Sequence, residues 1–216
     1  MSLSVLQRLK KKYIFKDPYP HIVIPNCLPS DLYSELESRF PEQCGPTSDD
    51  LLNEFLAYHE SLEFFDSVVN AFGKRLNVCP ASKFLDDRDK INPIAGVMIT
   101  DADSYLTKAI TAPHLDKKKK LYIANIYFRP KEDTFSGGQF VLYKASDNNN
   151  IQVEKIPGNP ICSHVDFKEV KRVEYAANTL CLFVNTGHSI HSVTERGAKV
   201  GRRAIKFQGI VNRKIR

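Results

Sequence analysis

Apolar residues follow two rhythms along this chain. Up to about residue 92 they return every three or four positions, and beyond it every second one. Leu28, Leu32, Leu36 and Phe40 share one face at four-residue spacing, which predicts a helix that Ser30 or Asp31 can cap and Pro41 stops. Residues 49–72 carry Leu51, Leu52, Phe55, Leu56, Leu62, Phe65, Val68, Val69 and Phe72, the pattern of an amphipathic helix broken once whose apolar side lies on something large. Ahead of both, Pro18-Tyr19-Pro20-His21-Ile22-Val23-Ile24 predicts a strand that its prolines confine to a sheet margin. The first twelve residues, ending Arg8-Leu9-Lys10-Lys11-Lys12, are short and basic and are expected to be loosely fixed. After Asn92-Pro93 come short β-rich runs at 94–100, 121–128, 138–142, 170–175, 179–185 and 202–211, each bounded by turn residues and without helices between them. Such a series predicts an antiparallel sandwich or jelly roll. The expected fold is therefore α+β, mainly β with packed helices. A basic segment (1–15) and a mostly helical support (16–93) on one outer face precede a β-core (94–211), with 144–160 as a surface excursion.

Length and composition narrow this only a little. The 216 residues suit a single domain, and 42% hydrophobic with 26% charged residues excludes a disordered chain. No apolar run is long enough for a bilayer and the N-terminus lacks a signal peptide pattern, so a cytoplasmic protein without a membrane partner is expected. Lys+Arg 31 against Asp+Glu 25 leaves +6, which suits an anionic small molecule and is too small to favour nucleic acid. Five cysteines without a C-x-x-C argue against a disulfide scaffold or zinc ribbon.

The histidines carry the candidate chemistry. His21 and His59 stand apart from other metal-binding residue types and read as packing or surface residues. In Ala112-Pro113-His114-Leu115-Asp116 an extended backbone points His114 and Asp116 the same way, supplying two thirds of the 2-His-1-carboxylate set that holds non-haem Fe(II). His164-Val165-Asp166 repeats the pattern. A third ligand must come from far along the chain, and His188 and His191 both follow the apolar run 179–185. Pairing either with His114 leaves roughly seventy residues, enough for the strands of a small barrel, whereas His164 leaves room for only two or three. About ten residues beyond His191, alternation along 202–211 puts Arg202, Ala204, Lys206 and Gln208 on one face and Arg203, Ile205, Phe207 and Gly209 on the other. The bulky apolar face should meet the helices, turning Arg202 inward, where a guanidinium needs an anion.

Taken in order, H-x-D, the pair Gly137-Gly138 with Tyr143-Lys144, F-x-N-T-x-x-S-x-H-x-V from Phe183 to Val193, and Gly201-Arg202-Arg203-Ala204-Ile205 resemble the Fe(II)/2-oxoglutarate-dependent dioxygenases. The prolyl 4-hydroxylase-like branch is the most similar, over about 94–211. The resemblance implies a double-stranded β-helix core and iron held by His114, Asp116 and His191, with His188 at a variable position near the mouth. It implies Arg202 (or Arg203, were the strand parity shifted by one) gripping the distal carboxylate of 2-oxoglutarate, Tyr127 helping to hold it and Tyr105 lining the pocket. It further implies O2 as co-substrate, ascorbate as a candidate reductant, hydroxylation of an unactivated C–H of a prolyl, other peptidyl or small-molecule substrate, and release of succinate and CO2. Where halogenases carry a small residue this chain has Asp116, which favours hydroxylation. Two departures stand out: the lysine run 117–120 after Asp116, a solvated loop or a positive lip, and Gln208 where the branch often has tryptophan. A metal-dependent hydrolase and a non-catalytic basic binding module are the alternatives.

Overall fold

The computed structural model describes residues 2–100, 112–146, 152–154, 161–163, 166–196 and 201–212. It is α+β, and every paired strand is antiparallel. The helices are α1 (Ser30–Ser38), α2 (Asp50–His59) and α3 (Leu62–Phe72). The strands are β1 (Ile14–Phe15), β2 (His21–Pro25), β3 (Ile91–Thr100), β4 (Lys120–Tyr127), β5 (Phe140–Ala145), β6 (Gln152–Glu154), β7 (Ile161–Ser163), β8 (Phe167–Val173), β9 (Thr179–Val184), β10 (His191–Val193) and β11 (Arg202–Val211). A six-stranded sheet runs β1-β2-β9-β4-β11-β3, a smaller one β10-β5-β8, and β6 pairs with β7.

Strand alternation divides the large sheet into two faces. Tyr122, Ala124 and Ile126 of β4, Leu180, Leu182 and Val184 of β9, and Ile205 and Phe207 of β11 share one apolar cluster with Leu32 and Leu36 of α1, Phe55 of α2, and Phe64, Phe65, Val68 and Phe72 of α3. The intervening residues Ile123, Tyr127, Cys181, Phe183 and Ala204 join Phe140 and Leu142 of β5, Val173 of β8, Tyr175 and Val193 in a second cluster. The helices thus cover one face of the sheet, and the small sheet covers the other.

Several local expectations are corrected. The first residues are not loose: Val5 and Leu6 are buried in the helix-side cluster, and the Val5 N–H donates to His59 Nε2 (3.3 Å). An apolar pair inside a basic segment was enough to dock it. Strand β2 is not the sheet margin: Pro18 and Pro20 lie ahead of it and Pro25 is its last residue, so β1 pairs outside it at His21 and Ile22. The prolyl margin strand is β3, with Pro93. Helix α1 takes Pro29 as its N-cap without a side-chain bond, Ser30 being already helical. Residues 49–72 do break once, because Asp49 caps α2 and Ser61 caps α3 through Leu52 and Phe64 N–H donors (2.9 and 3.2 Å). The excursion 144–160 begins inside β5 and contains β6. Among the described residues no helix is long and apolar enough to cross a membrane.

His59 is a packing residue. Its ring stacks on Phe207 (4.3 Å between centroids), Nδ1 donates to the Phe55 carbonyl (2.7 Å), and Nε2 accepts from Val5. Burial takes its pKa down from 6.5 to about 3. The unfolded chain therefore binds the extra proton between these values. Stability should be full above about pH 6.5 and fall towards pH 3, this residue contributing about 1.4 kcal/mol per pH unit. Urea midpoints at about pH 7.5 and about pH 5 should lie closer together in His59→Gln; an unchanged gap contradicts the assignment. Phe64→Ala, at the helix–sheet contact, should lose about 3–5 kcal/mol, and Leu62→Ala, partly exposed on the same helix, less than about 1 kcal/mol, by the same unfolding assay.

Candidate metal and anion site

His114 and His191 become neighbours through backbone chemistry. The His114 N–H donates to the His191 carbonyl (2.9 Å) and the His191 N–H to the His114 carbonyl (3.1 Å), an isolated antiparallel bridge at the mouth of β10. The imidazole centroids lie 4.4 Å apart. Each ring is fixed the same way: Nδ1 of His114 bonds the Ala112 carbonyl (2.9 Å) and Nδ1 of His191 the Ser189 carbonyl (2.8 Å). A carbonyl only accepts, so Nδ1 carries the proton and Nε2 keeps its lone pair for the site. His191 Nε2 lies 3.4 Å from Oδ2 of Asp116, and the Lys120 ammonium pairs with Oδ1.

Burial sets the charge states. It takes His191 down to about 3, helped by His114, and lowers His114 as well. Burial would raise Asp116, but His191, Lys120 and Lys206 outweigh it and hold the carboxyl at about 2. At neutral pH His191 is uncharged, so the lysines are what keep the carboxylate ionised. Two neutral imidazoles and one carboxylate are the protonation states a divalent cation requires. Among the described residues no three His, Cys, Asp or Glu side chains already close on one point as a finished cage. The Asp116 charge is answered by Lys120 instead.

A cavity of about 70 Å³ adjoins the histidines, lined by Met98, Thr100, Ile123, Asn125, Phe140, Val193, Arg202 and Lys206 besides His114 and His191. That is space for about two waters, so a larger ligand requires the flexible Met98 and Lys206 side chains to move. Arg202 is buried with its guanidinium over the rings of Tyr127 (4.6 Å) and Tyr175 (5.3 Å). Its Nε donates to the Gly138 carbonyl (2.9 Å), while Nη2 and the Tyr127 hydroxyl, close enough for the guanidinium to lower the phenol's pKa, make no well-formed hydrogen bond among the described residues. Burial raises the Tyr127 pKa, so that hydroxyl remains a donor. Gly138 takes a φ of +80°, a backbone conformation that favours glycine, and a Cβ there would stand in ordinary contact (3.4–3.5 Å) with the side chains of Arg196, Tyr175 and Arg202.

The sequence candidates thus separate. His114, Asp116 and His191 come together, and Arg202 and Tyr127 lie side by side at the adjoining cavity. Arg203 turns the other way, its guanidinium over Phe40 (5.7 Å). His188 is exposed and lines a separate groove with Tyr19, Tyr143 and Thr186. Tyr105 and His164 lie outside the described residues. The lysine run divides, Lys117–119 facing solvent and Lys120 turning in to Asp116. Sequence reasoning gave no role to Lys206, read Lys120 only as part of a solvated loop or positive lip, and did not single out Asn125. Parity was the available signal, since Asn125 alternates with Ile123 and Tyr127 on β4, and Lys206 with Arg202 on β11.

No protein-family model matches this chain, and no curated protein matches it. Its structural neighbours are prolyl hydroxylases and 2OG-Fe(II) oxygenases. A Pseudomonas putida prolyl-4-hydroxylase is 17% identical over 90% of this chain and 88% of that one, with a TM-score of 0.46. A Trichoplax adhaerens prolyl hydroxylase, solved with a hypoxia inducible factor peptide fragment, is 14% identical over 88% and 83%, with a TM-score of 0.49. A Burkholderia pseudomallei oxidoreductase of the 2OG-Fe(II) oxygenase family is 12% identical over 89% and 87%, with a TM-score of 0.46. These are likenesses of chain path, and the chemistry of the site stands on its own geometry.

Behind Gly138, Arg196 pairs with Asp133, both side chains fully buried, and Arg129 Nε approaches the same carboxylate (3.5 Å). Removing Asp133 strands a buried guanidinium. Asp133→Ala should lose about 3–5 kcal/mol in urea unfolding, whereas Asp17→Ala, which breaks the exposed pair with Lys144 (3.1 Å), should lose less than about 1 kcal/mol. Equal losses would contradict this account of the ion pair.

Proposed function

We propose that this protein is an Fe(II)- and 2-oxoglutarate-dependent oxygenase. The observation that carries the reading is one arrangement: two neutral imidazoles with free Nε2 atoms beside an ionised carboxylate, next to a buried guanidinium with an unsatisfied donor. In this reading His114, Asp116 and His191 would hold the iron, whose charge would stand in for the Lys120 ammonium that now answers the Asp116 carboxylate. The donor set fits Fe(II), being two nitrogens and one hard oxygen on one side of a cavity. Arg202 Nη2 and the Tyr127 hydroxyl grip the distal carboxylate of 2-oxoglutarate. The two facing sheets correspond to a double-stranded β-helix.

When bound, iron with 2-oxoglutarate and O2 supplies oxidation of an unactivated C–H, with succinate and CO2 released. The chain's own residues orient and exclude. Backbone carbonyls of Ala112 and Ser189 hold the imidazole tautomers. Phe140 and Phe183 pack on the His191 ring (5.1 and 4.7 Å between centroids) and keep its surroundings dry. A prolyl or other peptidyl side chain is the substrate class we favour, on the resemblance of the sequence motifs alone. A hydrolase or a basic binding module would leave the unpaired donor of Arg202 without a purpose.

Anaerobic addition of Fe(II) and 2-oxoglutarate should produce the weak visible absorption of a metal chelate, absent in His191→Ala. Arg202→Ala should keep iron binding and weaken 2-oxoglutarate about 10- to 100-fold by titration of that band. A colourless wild type that binds no 2-oxoglutarate would overturn the reading. Weakening in Arg203→Ala in place of Arg202→Ala would overturn the anchor.

A further inference from the structure

A separate groove of about 420 Å³ opens at the surface and shares no lining residue with the cavity beside the histidines. Four stretches of chain build it: the turn from β1 to β2, the 3-10 helix that follows α3 (Gly73–Val78), the end of β5, and the loop from β9 to β10. Its wall is fixed from behind. The Tyr19 hydroxyl donates to the Ile190 carbonyl (2.9 Å), the Tyr143 N–H donates to the same carbonyl (3.0 Å), and the Tyr143 hydroxyl bonds Ser192 Oγ (3.0 Å). Pro18 and Pro20 restrict the backbone on either side of Tyr19. Ile190 and Ser192 flank His191, so the groove backs onto the strand that carries this histidine.

The charge of the groove has one sign. Lys16, Arg75 and Lys144 come from three of the four stretches, and no carboxylate is found among the described lining residues. Asp17, beside the groove, answers Lys144 alone (3.1 Å). Among the described residues Lys16 and Arg75 pair with no acid, the Arg75 guanidinium donating only to the Phe72 carbonyl (3.4 Å). Exposed cations cost little when unpaired, so what matters is that they surround one concavity, where a single sign of charge focuses the field on an incoming anion. Between them the surface is apolar. Val78, 55% exposed, is the most exposed of the large hydrophobic residues described, and it lines this groove with the two prolines.

Cations around an apolar floor call for a ligand that alternates acid and apolar groups. A peptide in extended conformation supplies that, because successive side chains point to opposite sides. Nucleic acid suits the groove less well: Tyr19 is 4% exposed and offers no open ring face for a base to stack on. We infer that this groove docks an acidic, apolar-containing peptide segment of a partner protein, outside the histidine site. The inference goes beyond the oxygenase reading and stands on the groove alone, whether or not the cavity holds iron.

The test is an amide NMR titration of the full-length protein with a short peptide alternating glutamate and leucine about a central proline. Its counterpart carries lysine in place of glutamate. Wild type should bind the acidic peptide about tenfold or more tighter than the basic one, with shifts at Val78, Thr186 and His188, and binding should weaken with added salt. Arg75→Glu and Val78→Asp, both at exposed positions, should each weaken it about five- to tenfold, while Arg75→Lys and the distant Lys10→Glu should keep most of it. Thermal melts matching wild type separate loss of the groove from loss of the fold. No preference for the acidic peptide in wild type, or binding that Arg75→Glu and Val78→Asp leave unchanged, overturns the assignment. Single-stranded oligothymidylate binding more tightly than the peptide, and weakened by the same substitutions, overturns it in favour of nucleic acid. Failure of the oxygenase reading is seen separately, as a wild type that forms no chelate band with Fe(II) and 2-oxoglutarate.

Discussion

Two backbone hydrogen bonds, exchanged between His114 and His191, join the segment leading into β4 to the start of β10. Everything the site can do depends on that junction. It sets the imidazoles 4.4 Å apart, and the carbonyls two residues upstream of each ring then decide which nitrogen is protonated. His191 opens β10, and the segment that carries His114 runs on into β4, so paired strands hold the bridge from both sides. Strand β4 is clamped between β9 and β11, and β10 is laid on β5. The helices contribute indirectly, by covering the opposite face of β4, β9 and β11 and keeping that sheet buried on both sides.

Around the junction the arrangement of charge is uneven in an informative way. Asp116 is paired with Lys120, while Arg202 keeps a donor without a partner among the described residues. A protein core tolerates such groups where function requires them, because each would otherwise be replaced by an apolar side chain of similar size. Behind Gly138 the Asp133–Arg196 pair is buried as well, and there the two charges answer one another although Arg196 also keeps unsatisfied donors.

Much of this was legible from alternation alone. The parity of 202–211 placed Arg202 inward and Arg203 against the helical side, and Phe207 indeed stacks on His59 while Arg203 reaches Phe40. The H-x-D spacing expected His114 and Asp116 to point the same way, and both lie beside His191 of the smaller sheet. What escaped was decided by tertiary contact. Val5 and Leu6 dock because His59 offers an acceptor to the Val5 N–H, which no local pattern reveals. Lys120 belongs to a run of four lysines, and only the start of β4 turns it inward while its three predecessors stay in solvent. Lys206 lay on the inward face from the outset, but that it lines the same cavity as Arg202 and the two histidines appears only in the assembled fold. Tyr105, implied by resemblance, lies outside the described residues.

The central claim is that His114, Asp116 and His191 share one divalent cation. A crystal structure of the protein grown anaerobically with Mn(II) and 2-oxoglutarate tests it most directly. The account predicts one ion per chain bonded to Nε2 of His114, Nε2 of His191 and the carboxylate of Asp116, with the Lys120 ammonium displaced from Oδ1. An ion bound elsewhere, or bound here through only one of the three, would contradict it.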